Sequence, residues 1–199
     1  MRPGLGPGRR SPILRQQQMA SIGHVIVGIA AARLIAPLGS SLLDRIVLAG
    51  ALSALALAPD ADVIAFWLRI PYAAEWGHRG ASHSLLLAGV IGAACGLLLG
   101  RWTRRVAASV LLCVAVAASH GLLDALTDGG LGVALLWPWS LKRIFAPLRP
   151  LPVAPIGLRL LSPRGLQVIA TEVLYFLPLL LWALWPWPRA VGNHRRAGT

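Results

Sequence analysis

The sequence predicts an all-α fold: a polytopic membrane helical bundle with about five apolar spans and a Pro-rich interfacial segment. Three observations predict it. The 199-residue chain is 56% hydrophobic and only 13% charged, with a mean hydropathy of +0.67, whereas soluble domains carry about 25% charged residues. The apolar residues gather into five long stretches. The scarce ionisable residues outside the basic loops gather into four clusters, each at the end of a stretch. This composition excludes disorder, which goes with few apolar residues, and an ordinary soluble enzyme. The net charge of +12 comes from 19 Lys+Arg against 7 Asp+Glu. In a soluble chain that would point to nucleic acid. Here the basic residues flank spans and form no stripe with aromatics, so no nucleic-acid partner is expected.

Taken in order, residues 1–18 are rich in Gly, Pro and Arg, hold no acid, and lack the apolar core of a signal peptide. They read as a disordered basic leader, with Met19 as an alternative start. A membrane-embedded body is expected over 19–187 and a polar tail over 188–199. The first stretch is Ile22 to Pro37, interrupted by Arg33. The second, Ile46 to Ala58, is short. Leu85 to Gly100, Val106 to Leu123 and Val168 to Trp187 follow, the last ending in a tryptophan belt (Trp182, Trp185, Trp187) suited to a membrane interface. A full span needs about 20 residues, so the short stretches must extend into their flanks or tilt. Between the last two lies Gly129 to Gln167, too rich in proline for a span and read as interfacial or re-entrant. Within it, Ser140 to Phe145 is expected to form a short surface helix. Cys95 and Cys113 fall inside spans without ligand spacing and receive no role.

The four clusters are His24 at the start of span one, Asp60 and Asp62 at the end of span two, His78 to Ser84 before span three, and Ser119 to Asp128 closing span four. Successive spans alternate direction, so all four lie on one membrane face. Random placement would achieve this about one time in eight, given only the alternation that spanning helices force. Ionisable residues at membrane depth are costly and therefore functional by default.

The chemistry suits a metal. His120 and Asp124, four residues apart, share a helix face, and an imidazole with a carboxylate is a normal ligand pair for zinc or another transition metal. Pro59 is expected to end its helix and turn the chain, leaving Asp60 and Asp62 to bind or bridge metals, or one of them to take a proton. His78 and His83 flank Arg79-Gly80, a turn before a helix that Ser82 or Ser84 can cap. With His24 the set reaches four histidines and three aspartates, more than one tetrahedral site uses, which implies two or more ions. Glu75 and Asp128 read as solvated loop acids, and Asp44 and Glu172 as structural. Trp137-Pro138-Trp139 reads as an interface anchor.

The segments MASIGHVIVG, LAPDAD, HRGASHS, SHGLLDALTDGG and ALLWPWS, in this order and spacing, resemble the YdjM-like family of membrane-bound, metal-dependent hydrolases. The resemblance runs from about Met19 to Trp187. It implies His24, Asp60, Asp62, His78, His83, His120 and Asp124 as metal or catalytic positions. Ser82 stands where related sequences often hold threonine. The ligand set is similar to that of zinc-dependent phospholipases C, which implies phosphoester hydrolysis without naming a substrate.

The expected activity is therefore hydrolysis of a phosphoester in a phospholipid or lipid-linked substrate by water activated on divalent ions, zinc first among them. Asp62 is the candidate base. Arg79, or a residue among Lys142, Arg143 and Arg149, is the candidate anion-binding group. Two alternatives stay open. One is a transporter or metal permease, although such sites lie near the bilayer midplane among repeats and no repeat is evident. The other is a structural membrane protein with a non-catalytic metal site. Seven basic residues fall on each face after Met19. Short loops weigh most in orientation, so the tight Arg101 to Arg105 loop is expected to be cytoplasmic. That places the site on the extracytoplasmic face of a bacterial-type inner membrane. Oligomeric state is not legible.

Overall fold

A computed structural model describes residues 18–19, 22–155 and 157–186. The expected leader, apart from Gln18, the expected tail and Trp187 lie outside the described residues. Five apolar helices form the body: α1 (Ile22–Ile35), α2 (Leu42–Leu57), α3 (Leu85–Thr103), α4 (Val106–Ala125) and α5 (Pro163–Leu184). The protein is an all-α membrane bundle. By length and composition four segments can cross a membrane: Leu42–Trp67, Leu85–Thr103, Val106–Ala125 and Pro163–Leu184, while Ile22–Ile35 is shorter. A two-residue ladder pairs β1 (Gln18–Met19) antiparallel with β2 (Ala154–Pro155).

Local chemistry sets the ends. Ser41 caps α2 in a reciprocal box: its hydroxyl accepts the Asp44 N–H, and the Asp44 carboxylate accepts the Ser41 N–H. The helix therefore begins four residues before the expected Ile46. Ser84 is the residue that caps α3, accepting the Leu87 N–H at 3.2 Å. Ser162 caps α5 with Pro163 in its first turn. The last span thus takes its first turn from the end of the segment expected to be interfacial or re-entrant. Glu172, buried midway along α5, accepts the backbone N–H groups of Ile22 and Gly23 at 2.8 and 3.1 Å. It satisfies the first backbone donors of α1 from a distant element.

Two expectations are corrected. Helix α2 does end at Leu57, beside Pro59, but the proline does not turn the chain out of helical winding. The chain tightens into a 3₁₀ segment over Ala58–Val63 and resumes as a helical turn over Ile64–Trp67. Proline removes one N–H, and the tighter winding absorbs that loss. Ser140–Phe145 is not helical either. Ile144 pairs with Val133 in a two-way backbone bridge, both N···O distances being 3.0 Å.

The helices pack closely where side chains vanish. A Cβ added at Gly92, Gly96 or Gly100 of α3 would collide with the α4 backbone at Val114, Val110 and Val106 in turn. This small-residue stripe, repeating every four positions, lets two apolar helices meet backbone to backbone. The αL conformation of Arg104 turns α3 into α4 within two residues. The core gathers Ile35, Leu48, Leu52, Leu55, Val116 and Ala117 from α1, α2 and α4.

Residues 126–155 fold over one end of the bundle as a cap. They are tied down by backbone bonds from Leu85 to Leu135, Ala134 to Arg79 and Ala146 to Ala125. Arg143 braces the cap, its guanidinium donating to the carbonyls of His78, Tyr72 and Ala74. Arg143, one of the expected anion-binding candidates, thus has both terminal nitrogens engaged by backbone carbonyls.

Candidate metal centre

All four polar clusters meet beneath this cap. The 3₁₀ segment presents Asp60 and Asp62. A second short 3₁₀ turn, Ala81–His83, presents His83, and the last turns of α4 present His120 and Asp124. Asp60, His83, His120 and Asp124 form one buried group whose ligand atoms lie within 4.8 Å of one another. Its centre is the approach of the His83 and His120 Nε2 atoms to 3.0 Å. Asp60 Oδ1 lies 3.4 Å from the His120 nitrogen and 3.6 Å from that of His83. Asp124 Oδ2 lies 3.4 and 4.0 Å from the His83 and His120 nitrogens.

Hydrogen bonding decides what those nitrogens offer. His120 Nδ1 lies 2.7 Å from the Ala56 carbonyl oxygen. A carbonyl only accepts, so this nitrogen carries the proton and Nε2 presents a lone pair. His83 Nδ1 faces Asp62 Oδ2 at 3.1 Å, and a carboxylate likewise accepts. Two imidazole lone pairs and two carboxylates therefore converge on one point, an arrangement that repels itself without a positive charge at its centre. Asp60 and Asp124 are both buried, and apart from Arg79 Nε, 2.8 Å from Asp124 Oδ2, their oxygens face the imidazole nitrogens.

A divalent cation fits this set. Tetrahedral zinc with ligand bonds of about 2.0–2.2 Å sets its ligand atoms about 3.3–3.6 Å apart, and the five distances above run from 3.0 to 4.0 Å. The carbonyl and carboxylate behind the two imidazoles are the outer partners that fix tautomer and ring orientation in metal sites. Burial disfavours a charged His83 ring, yet the carboxylates of Asp124, Asp60 and Asp62 around it outweigh burial and, with no ion bound, hold its pKa well above the ordinary histidine value. Three carboxylates around one imidazole call for positive charge.

The other expected residues surround this group. His24 stacks on His120, ring centroids 4.0 Å apart, with Nε2 3.5 Å from Asp124 Oδ1. Asp62 and His78 form a second group with His83. There His78 Nδ1 lies 2.5 Å from Asp62 Oδ1, and the Ser82 hydroxyl and Arg79 N–H both donate to Oδ2. Phe66 and Tyr72 pack against the His78 ring. Arg79 is fully buried in a left-handed conformation. Its Nε pairs with Asp124 Oδ2 at 2.8 Å, and Nη1 donates to the Thr127 hydroxyl and the Gly129 carbonyl.

Sequence reasoning passed over three contributors. The Ala56 carbonyl is invisible to any side-chain motif. Thr127 was within the quoted SHGLLDALTDGG segment, and its buried hydroxyl orients Arg79. Ser82 was assigned to a helix cap and instead bonds Asp62. Of the acids set aside, Glu75 accepts the Trp137 indole N–H, and Asp128 accepts the Val153 N–H.

Comparison with known proteins agrees with this architecture. The family described as "YdjM inner membrane protein" matches residues 19–191. This chain belongs to that family. It is 43% identical over 158 residues to the inner membrane protein YbcI of Escherichia coli (strain K12), covering 76% of this chain and 90% of the relative. Neither name states a reaction. No solved structure matches.

Proposed function

We propose that this chain is a membrane-bound, metal-dependent hydrolase that cleaves a phosphoester or another lipid-linked bond. The observation that carries the reading is the 3.0 Å approach of two histidine Nε2 atoms, flanked by the buried carboxylates of Asp60 and Asp124. Asp60, His83, His120 and Asp124 would hold the ion, and zinc suits this mixed nitrogen and oxygen set. A divalent ion at such a site supplies an acidified water and polarises a phosphoryl oxygen.

The remaining residues support that chemistry. Asp62 orients His83 and, lying beside the four-ligand group without belonging to it, would serve as the proton acceptor. His78 holds Asp62 in place. His24, stacked on His120, adds a further imidazole beside Asp124. Arg79 offsets the Asp124 charge and keeps Nη2 without a hydrogen bond, the donor available to an anionic oxygen. The second group, Asp62, His78 and His83, holds another ion only by giving up the His83–Asp62 hydrogen bond. We place the site on the extracytoplasmic face of the inner membrane, where a phospholipid or lipid-linked substrate reaches it laterally, and take residues 19–187 as the functional body.

One observation favours a second reading. Four protein ligands nearly sealed from solvent describe a structural zinc site better than a catalytic one, which keeps an open position. Metal analysis of purified protein, with hydrolysis of a phosphoester panel before and after chelation, separates the two. The hydrolase predicts at least one ion per chain and chelator-sensitive turnover. A stoichiometric ion without turnover leaves the structural reading, and less than one ion per folded chain removes both. A reporter fused after Arg196 tests orientation, since activity outside the cytoplasm would reverse the assignment.

A further inference from the structure

The end of the bundle away from the histidines carries a cleft that the proposed chemistry does not use. It has a volume of about 640 Å³, with Arg33, Leu34, Thr103, Arg105 and Trp182 among its lining residues. A second cleft of about 450 Å³ runs from it between α1, α4 and α5, lined by apolar residues such as Val27, Ala115 and Leu179. Leu34 and Trp182 stand in the walls of both. Together they form an apolar channel with a basic mouth, and no acid lines either part.

The basic mouth is built in place. Arg33 donates through Nη1 to the carbonyl oxygens of Ala183 and Trp185 at the end of α5, and its guanidinium lies 5.2 Å from the centre of the Trp182 ring. These contacts fix a cation at the channel rim. Arg105 enters from the opposite wall and is exposed, with Arg101 and Arg104 exposed on the same turn of chain. Basic pockets between spanning helices recognise anionic lipid headgroups, and interfacial tryptophan marks the headgroup level.

We propose that this channel seats one anionic phospholipid, its headgroup phosphate between Arg33 and Arg105 and an acyl chain along Val27, Ala115 and Leu179. The shape excludes a simple ion site, because most of the wall is apolar. The charge excludes the chain's own C-terminal stretch, since residues 187–199 contain Arg189, Arg195 and Arg196 and no acid. The surrounding bilayer supplies a ligand with one anionic end and one apolar end.

The test is native mass spectrometry of the full-length protein in detergent, titrated with dioleoyl phosphatidylglycerol or dioleoyl phosphatidylcholine. The wild type is expected to retain one phosphatidylglycerol in preference to phosphatidylcholine. Arg105→Gln is expected to weaken that retention about fivefold, the worth of one interfacial arginine. Ala115→Phe fills the apolar arm from an exposed position and is expected to abolish retention. Helical circular dichroism identical to wild type certifies both variants. Equal retention of the two lipids overturns the proposal, as does an unchanged preference in Arg105→Gln. So does wild-type retention by Ala115→Phe, which would mark mere attraction of annular lipid by surface charge.

Discussion

The two ends of this bundle treat charge in opposite ways. Beneath the cap, His24, His83, His120, Asp124 and Arg79 are buried together, with Asp124 within 4.0 Å of all four partners. At the far end, Arg101, Arg104 and Arg105 stand exposed, and Asp44 at the start of α2 is engaged in a helix cap. A membrane protein can keep a charge either by surrounding it with partners or by leaving it at the interface. The first choice fixes geometry, and the second tolerates change. Substitutions at the two ends should therefore differ sharply in effect.

The largest effect is expected for Asp124→Asn. It leaves the buried Arg79 guanidinium without its counter-charge, a loss of about 3–5 kcal/mol for a broken buried pair, read from unfolding in detergent. Metal retention should fall with it. Next comes Gly96→Val, which forces α3 away from the Val110 backbone of α4. Overpacking there should cost about 1–3 kcal/mol and lower the thermal midpoint. A smaller loss, about 1 kcal/mol, is expected for Ser41→Ala, which removes the capping hydroxyl of α2 at the far end. Arg101→Gln should stay within about 0.5 kcal/mol, as for other exposed positions. If it approached the Asp124 result, the contrast between the ends would collapse. Acid should sharpen the contrast. The raised pKa of His83 means that a proton occupies the ring across more of the pH range, so metal retention should fall on acidification while the arginine end is unaffected.

Much of this contrast is legible in the sequence, and the illegible part has physical causes. The order of the spans and the meeting of four clusters follow from hydropathy and from alternation alone. The errors fall where one local signal was weighed without its neighbours. Pro59 was read as a turn in the chain, but a proline in the first turn of a 3₁₀ segment surrenders only a bond that segment does not need. Ser41 with Asp44 spells a capping box, and Ser162 with Pro163 spells a helix start, yet hydropathy stretches placed both helices later. Ser140–Phe145 has helix-compatible residues, but the partner that claims its backbone, Val133, lies seven residues upstream of the segment. Arg79 looks like a mobile loop cation in sequence. Its burial depends on Thr127 and Asp124 arriving from α4 and its C-terminal edge, and no local pattern announces that.

The Glu172 carboxylate has a further consequence for how the protein is made. It supplies the acceptor for the first N–H groups of α1, about 150 positions earlier in the chain. Synthesis delivers chain N-terminus first, at about 5–20 residues per second. The opening helix, itself too short to span alone, thus waits through the production of three others before its last partner emerges. Biogenesis here ends as a clasp, with the final helix locking the first, and a ribosome halted before Glu172 would leave a bundle with its front edge unfastened.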